Sequence, residues 1–576
     1  MAKARTSQRP SKPRIQPQSA FSRWFPAIAA LLAGVLWLGW FSPESYDSDF
    51  WWHLKTGQYI VENHQLPVPD PFAFTTAGAA PAYAGETLTR HFNLTHEWLA
   101  QALFYLVWRA TGFGGVVLFR AALLAAFCAL VGLIAWRRCG GFYRSLAAAS
   151  AAAGMAIPFA LDRPYLITFL LLAATIAILE YGRWLWLLPP IFLLWANCHG
   201  GYFLGWVVLG AYSAEALWLR LRKQPAPHSQ LLWIVSAVSL LLSGVNPNGF
   251  RIVQVLGYYR NSELTSHLLE WARPRWFAFN EFTILWLGAT LLMLWAHRRV
   301  RPVDWLLFAA FGAAAFSAQR NTILMGLVAP IVMVSYFPWK RALPPLAPFA
   351  ASLLLIGAGI AAHWGSFFQL RAAEWRYPAG AADFLLAHQV TGPMFNTYEY
   401  GGYLFWRLWP QQRVFIDGRA LSETLFKDYG RILYNVEESG GNNAQQLLDR
   451  YGIQTIVMNT FEYSQGLVYR LAPALADPQQ TEWKLVYDDP TAIVLMRHPP
   501  PGVAPLDSLR VLTHMEAECD LHLRHEPRVS MCARALGQVF TRVGDRARAR
   551  QWFGTYLQHL HGPDPEAEEA YRRLVN

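Results

Sequence analysis

Between Phe25 and Trp364 the chain runs as a series of apolar segments, and every second gap between them holds a cluster of arginines or lysines. This alternation is the strongest constraint on the fold. An apolar segment of ~20 residues can satisfy its backbone inside lipid only as a helix. Clusters of Lys and Arg mark the cytoplasmic side. Composition agrees: of 576 residues, 54% are hydrophobic and 15% charged, against roughly 25% charged in soluble proteins. Intrinsic disorder, a collagen-like rod and an ordinary cytosolic enzyme are excluded, and an integral membrane protein is expected.

The basic clusters set an orientation. Residues 1–23 carry six Lys or Arg and no acid and read as a disordered cytoplasmic arm, not a cleaved signal peptide, since no small-residue cleavage site follows. The expected spans are 25–41, 115–136, 145–161, 165–179, 184–197, 202–219, 231–244, 282–296, 303–317, 321–337 and 346–364. These eleven helices, within a membrane domain at 24–366, place the N-terminus inside and the C-terminus outside. Outer loops are expected at 42–114 and 245–281, with 97–108 as a separate helix lying in the outer interface. The net charge of +11 then reflects topology, and no nucleic-acid partner is implied.

Residues 370–498 return to soluble composition and predict a small extracytoplasmic α/β domain. Strands are expected at 414–416, 455–458, 483–487 and 492–496, with Asp488-Asp489-Pro490 turning the last two into a hairpin. Helices are expected at 442–451 and 464–476. No Gly-rich phosphate loop occurs, so no nucleotide cofactor is expected. Residues 505–576 predict a helical tail, with Ala535, Leu536, Phe540, Ala547, Ala549 and Phe553 spaced like a tetratricopeptide unit. One such unit is short of the three that repeat arrays need, and an amphipathic tail fits equally. Cys519 and Cys532 would share an oxidising compartment where pairing is open to them.

The chemically useful side chains fall on the outer face. Asp47 and Asp49 follow the first span beside Trp51, Trp52 and His53. Carboxylates there suit a general base of raised pKa or a divalent cation, Mg or Mn; alternatively, Ser48 or Asp49 caps a helix. His96-Glu97, Asp162, His199 before Gly200-Gly201, Glu270 and Arg320 share that side. The alternatives are a helix-dipole contact for Glu97, a loop ion pair for Asp162 with Arg163, and an interface anchor for Arg320. An outward-facing Arg at a helix end suits a phosphate. No comparable set of acids and histidines is expected on the cytoplasmic side.

These features resemble the GT-C superfamily of membrane glycosyltransferases. They are closest to bacterial membrane proteins with D-x-D-x-W-W-H-L-x-x-G (Asp47–Gly57), P-x-x-D-P-F-x-x-T (Pro67–Thr75) and H-E-W-L (His96–Leu99) motifs. His199–Gly201, Arg320-Asn321, Tyr398–Tyr403 and Phe415–Arg419 extend the likeness over residues 25–498. The resemblance implies sugar transfer from a polyprenyl-phosphate-linked donor on the outer face of the bacterial inner membrane. It implies Asp47 as base, Asp49 as its partner or a metal ligand, and Glu97 as a further catalytic acid. Trp52, His53, His96, Asp162, His199 and Glu270 would bind substrate, and Arg320 the donor phosphate. The chain lacks the W-W-D-Y-G motif of oligosaccharyltransferases, which argues against en bloc transfer to Asn. The tail suggests a protein partner. A non-catalytic membrane assembly protein, or a transporter using Glu215 and Pro189-Pro190, are the other readings.

Overall fold

The computed structural model describes residues 22–575 except 77, 260–268, 276–279, 340–343, 420, 437–442, 464–465 and 561. The basic arm up to residue 21, Lys340, Arg341 and part of the second long loop lie outside the described residues. The chain is mostly helical, with a small sheet near its C-terminus.

Each of the eleven apolar segments forms a helix. They are α1 (Phe25–Trp40), the second leg of α4 (Trp98–Cys139), α5 (Phe142–Ala156), α6 (Tyr165–Tyr181), α7 (Leu188–Cys198), α8 (Phe203–Leu221) and α9 (Ser229–Leu242). Glu281–Trp295, Pro302–Ser317, Ile323–Tyr336 and Leu346–Ala362 complete the set. By length and composition, two described helical stretches, Glu86–Cys139 and Gly200–Leu221, reach membrane-crossing size. Large apolar side chains face outward around the bundle, among them Leu31, Ile234, Leu241, Leu291, Leu354 and Leu355.

Between α1 and α4 lie α2 (Ser48–Asn63) and α3 (Glu86–Thr95). Gly112 has φ 66° and ψ −165°, which breaks α4. The expected separate helix at 97–108 is therefore the first leg of α4, turned off from the second at this glycine. Gly57 lets α2 seat on that leg, because a Cβ there would lie 2.0 Å from the Gln101 carbonyl.

The bundle has two chemically distinct ends. At one, Arg138 pairs with Asp304, and Arg301 reaches Glu180 at 2.9 Å and Glu215 at 2.8 Å. Asp304, Glu180 and Glu215 at this end are each matched to an arginine. Glu215 is an ion-pair partner here, as burial of a charge among helices requires. The other end gathers the starts of α2, α4, α6 and α8 and the turn before Ile323–Tyr336.

The domain at 370–498 covers that second end. Its main sheet has the order β1-β2-β6-β5, from β1 (Met394–Asn396), β2 (Thr455–Met458), β5 (Lys484–Asp488) and β6 (Ile493–Met496). β1 pairs parallel with β2, and the remaining pairs are antiparallel. Asp489 turns the β5–β6 hairpin by accepting from the Thr491 and Ala492 amides at 2.7 and 3.0 Å. Residues 414–416 are not a strand. The Asn396 side chain bonds Phe415 N and Ile416 O instead, and Val414 bridges Ala73 of the first long loop. The expected helix at 464–476 shrinks to Leu471–Leu475, since β4 (Leu467–Val468) pairs with β3 (Phe461–Glu462). Ala444–Arg450 forms as expected, with a capping box from Asn443 and Gln446.

Among the described residues the tail forms four helices: Arg510–His525, Met531–Val543, Arg546–His559 and Pro565–Val575. Ala535, Leu536, Phe540, Ala549 and Phe553 are buried. Ala547 is exposed, because it sits in the first turn after the Asp545 cap. Cys519 and Cys532 form a disulfide. The tail docks through His514, whose Nδ1 lies 2.9 Å from Asp488 and Nε2 3.1 Å from Glu518. Glu518 also accepts from the Thr460 amide at 2.9 Å.

Burial opposes a charge on His514, but the two carboxylates outweigh it and push the imidazole up from 6.5 to about 9. A raised folded-state value stabilises fully below the unfolded value and is lost as pH rises through the folded one. Tail docking should therefore weaken between pH 6.5 and about 9. Limited proteolysis across that range should show the tail becoming cleavable, and His514→Gln should remove the pH dependence.

Candidate functional site

A cavity of about 1080 Å³ opens at the end of the bundle covered by the α/β domain. Asp49, Trp52, His53, His96, Glu97, His199, Glu270 and Arg320 all line it. Residues from five separate segments thus converge on one space. Asp47 and Asp162 are not among the lining residues, and each has a different task.

Asp47 is the N-cap of α2, accepting from the Asp49 amide at 3.2 Å. The expected cap, Ser48 or Asp49, is displaced by one or two residues, and Asp47 itself is buried. Both its oxygens are held by Arg163, with Nη2 to Oδ1 at 2.7 Å and Nε to Oδ2. Burial would raise the Asp47 carboxyl, yet Arg163 and the cap bond hold it below its usual value. A carboxylate so occupied is poorly placed to accept a proton.

Asp49 is in the opposite state. Its Oδ2 lies 2.9 Å from Arg163 Nη1. Burial, with the negative charges of Asp47 and Glu270, outweighs that arginine and pushes the Asp49 carboxyl up to about 7. Gly418, in the Phe415–Arg419 segment, presses against it; a Cβ there would sit 2.2 Å from Asp49 Oδ1.

Arg163 continues the network to Glu270 at 3.3 Å, and Glu270 reaches Arg320 at 3.0 Å. Arg320 lies over the Trp271 ring, 4.7 Å from its centroid. Asp162 turns away from Arg163. It pairs at 2.7 Å with Arg120, both fully buried, and Arg120 also donates to the Phe41 carbonyl at 3.0 Å. This ties α4 and the turn before α6 to the end of α1, so Asp162 is a structural residue.

A second polar centre surrounds Glu97. His96 Nε2 lies 3.4 Å from it, His199 Nε2 3.6 Å and His53 Nδ1 3.6 Å. Burial alone would raise Glu97; the histidines, His96 foremost, hold it well below the usual carboxylate range. Burial pushes the His53 imidazole down to about 4, so it is neutral at pH 7. His199 Nδ1 accepts from the Gly201 amide at 3.0 Å and meets the Thr168 hydroxyl at 2.8 Å. That hydroxyl oxygen accepts from Trp195 at 2.8 Å, leaving its proton for His199. The Nε2 proton therefore points at Glu97. Gly201 is required because a Cβ would lie 2.7 Å from Thr168. Gly200 brings the backbone against His96, with a Cβ position 3.3 Å from its ring.

The motifs of the first loop and the α/β domain meet in a buried clamp. Arg419 bonds Asp70 at 2.8 Å and Asp417 at 2.7 Å, over the rings of Phe72 and Phe405. This fixes Gly418 against Asp49.

The Asp47–Asp49 pair does not fit a divalent cation. The Arg163 guanidinium occupies the space between the two carboxylates and takes both oxygens of Asp47. Among the described residues no group of three or more His, Cys, Asp or Glu has a metal-holding arrangement.

Sequence reasoning missed Arg163 and Arg419. The signal for Arg163 was present as a cation on a side rich in acids. Arg419 and its partner Asp70 are 349 residues apart, and one sequence offers no means of pairing them. The chain matches no protein-family model and no curated protein.

Asp162→Asn should leave the Arg120 charge buried without its partner. The expected loss is about 3–5 kcal/mol of stability, read as a lowered unfolding midpoint of the purified protein.

Proposed function

We propose that the chain is an eleven-span protein of the bacterial cytoplasmic membrane, with its N-terminus inside. In this reading it is a GT-C-type glycosyltransferase that moves a sugar from a polyprenyl-phosphate-linked donor to an acceptor on the outer face. The observation that carries the reading is the convergence of Asp49, Glu97, His199, Glu270 and Arg320 on one cavity. The same cavity has an apolar flank of Ile157, Phe159, Phe169, Phe203 and Leu324. Its volume of about 1080 Å³ is at the upper end of small-molecule sites, roughly 300–1,000 Å³. A sugar phosphate with the first part of a lipid chain suits that size and that division into polar and apolar walls.

Orientation has its own support. The outward apolar side chains suit lipid contact. Arg137, Arg138, Arg301 and their neighbours gather at the end opposite the cavity, as the positive-inside rule requires of a cytoplasmic face. The Cys519–Cys532 bond suits an oxidising, extracytoplasmic compartment. Helices of 10–17 residues can complete their spans with flanking turns and local bilayer thinning.

In the proposed reaction Asp49 accepts the proton of an acceptor hydroxyl as its oxygen bonds the anomeric carbon. The bond from that carbon to the donor phosphate breaks, and the phosphate leaves with the electron pair. Arg320 faces the developing phosphate charge. Asp47 holds Arg163 in place. Base duty thus passes from Asp47 to Asp49, whose carboxyl sits near 7, matched to neutral pH.

Purified protein supplied with lipid-linked sugars should lose about 10²–10⁴-fold in transfer rate with Asp49→Asn, while expression and helix content stay normal. For the wild type, kcat/KM should fall as pH drops through about 7, because Asp49 must be ionised to act. Asp47→Asn should lower the rate and move that acid limb to lower pH, because one of the negative charges that raise Asp49 is gone. Full activity in Asp49→Asn sinks the assignment.

A further inference from the structure

The carboxylates of Asp47, Asp49 and Glu270 all reach one side chain. Arg163 takes the two oxygens of Asp47, sits 2.9 Å from Asp49 and 3.3 Å from Glu270. Three carboxylates around one point is the donor set that hard divalent cations use. Here the point is filled by a guanidinium that lies at the start of α6 and is therefore fixed by the fold. Its charge is permanent over the whole physiological range, since a guanidinium does not deprotonate. Arg163 is 20% exposed and Asp47 4% exposed, so hydrated ions have little access to the pair while the arginine remains.

We propose that Arg163 is the built-in cation of this carboxylate cluster, doing by a covalently held guanidinium what a divalent ion would do between Asp47, Asp49 and Glu270. Three consequences are specific. The intact cluster takes up no Mn²⁺. Removing the guanidinium leaves three carboxylates facing one space and creates a Mn²⁺ site. Lysine at the same position keeps a cation there and creates none.

The inference concerns the cluster alone and does not depend on sugar transfer. Its test is Mn²⁺ binding to the purified full-length protein, by electron paramagnetic resonance and calorimetry. The wild type should show no Mn²⁺ site that depends on Asp49. Arg163→Ala should bind one Mn²⁺ at least about tenfold more tightly than the wild type. The gain should vanish in the Arg163→Ala, Asp49→Asn double variant and in Arg163→Lys. Helix content and gel-filtration profile establish that each variant is folded, and Arg163→Gln replaces Arg163→Ala if the latter fails. A wild-type Mn²⁺ site abolished by Asp49→Asn overturns the proposal. So does a folded Arg163→Ala or Arg163→Gln protein with no gain in Mn²⁺ affinity. Loss of transfer activity in Arg163→Ala alone bears on the enzyme reading, and the binding result stands apart from it.

Discussion

The contact of Arg163 with Asp47 is the interaction on which the site depends. A buried carboxylate and a half-buried guanidinium are each costly alone, and each becomes tolerable only with good geometry and several hydrogen bonds. Asp47 begins α2 and Arg163 precedes α6, so their pairing sets the relative position of two elements 116 residues apart. Asp49 and Glu270 then take their places around the same guanidinium. The fixed charge also divides labour between two carboxylates only two residues apart. Asp47 caps the helix and neutralises the arginine; Asp49, left with a shared guanidinium and two negative neighbours, has its carboxyl pushed up to about 7.

The same matching of buried charges builds the rest of the frame. Arg120 with Asp162 closes α1 onto the turn before α6. Arg301 with Glu180 and Glu215, and Arg138 with Asp304, close the opposite end. Arg419 with Asp70 and Asp417 locks the first long loop to the α/β domain. Glycines serve these joints by letting backbone approach backbone, as Gly401 does against the Ile416 carbonyl and Gly57 against that of Gln101. Several sequence motifs that look catalytic are therefore joints. Asp70 and Asp417 are spent on one arginine, and Gly418 between Asp417 and Arg419 packs against Asp49.

Much of the helical scaffold was legible in the chain, because apolar runs and basic punctuation are local signals. All eleven expected apolar segments are helices, and the cavity-facing residues Asp49, Glu97, His199, Glu270 and Arg320 were found by asking which ionisable groups share an end. What was hidden depends on pairing across distance. Asp162 looked like a partner of its neighbour Arg163, yet it faces Arg120 of α4, while Arg163 serves Asp47. The segment 414–416 has strand-forming residues, but Asn396 and Ala73 claim its backbone groups before a ladder can form. β1 is three residues long, too short for periodicity to register. Local pattern fixes where a helix begins; which charge answers which is a property of the assembled molecule.

That distinction bears on the histidine centre. His96 directs Nδ1 at the Phe92 carbonyl, 2.8 Å away, so that nitrogen must carry a proton. Its Nε2 faces Glu97. His199 reaches Glu97 in the opposite tautomer, set by Gly201 and Thr168. Glu97 thus faces two imidazoles on the wall of the cavity and is held well below the usual carboxylate range, while Asp49 on the same cavity is pushed up to about 7. Two carboxyls of similar intrinsic strength are driven apart by their neighbours, and the neighbours are set by how α2, α4, α6 and α8 begin at the same end of the bundle.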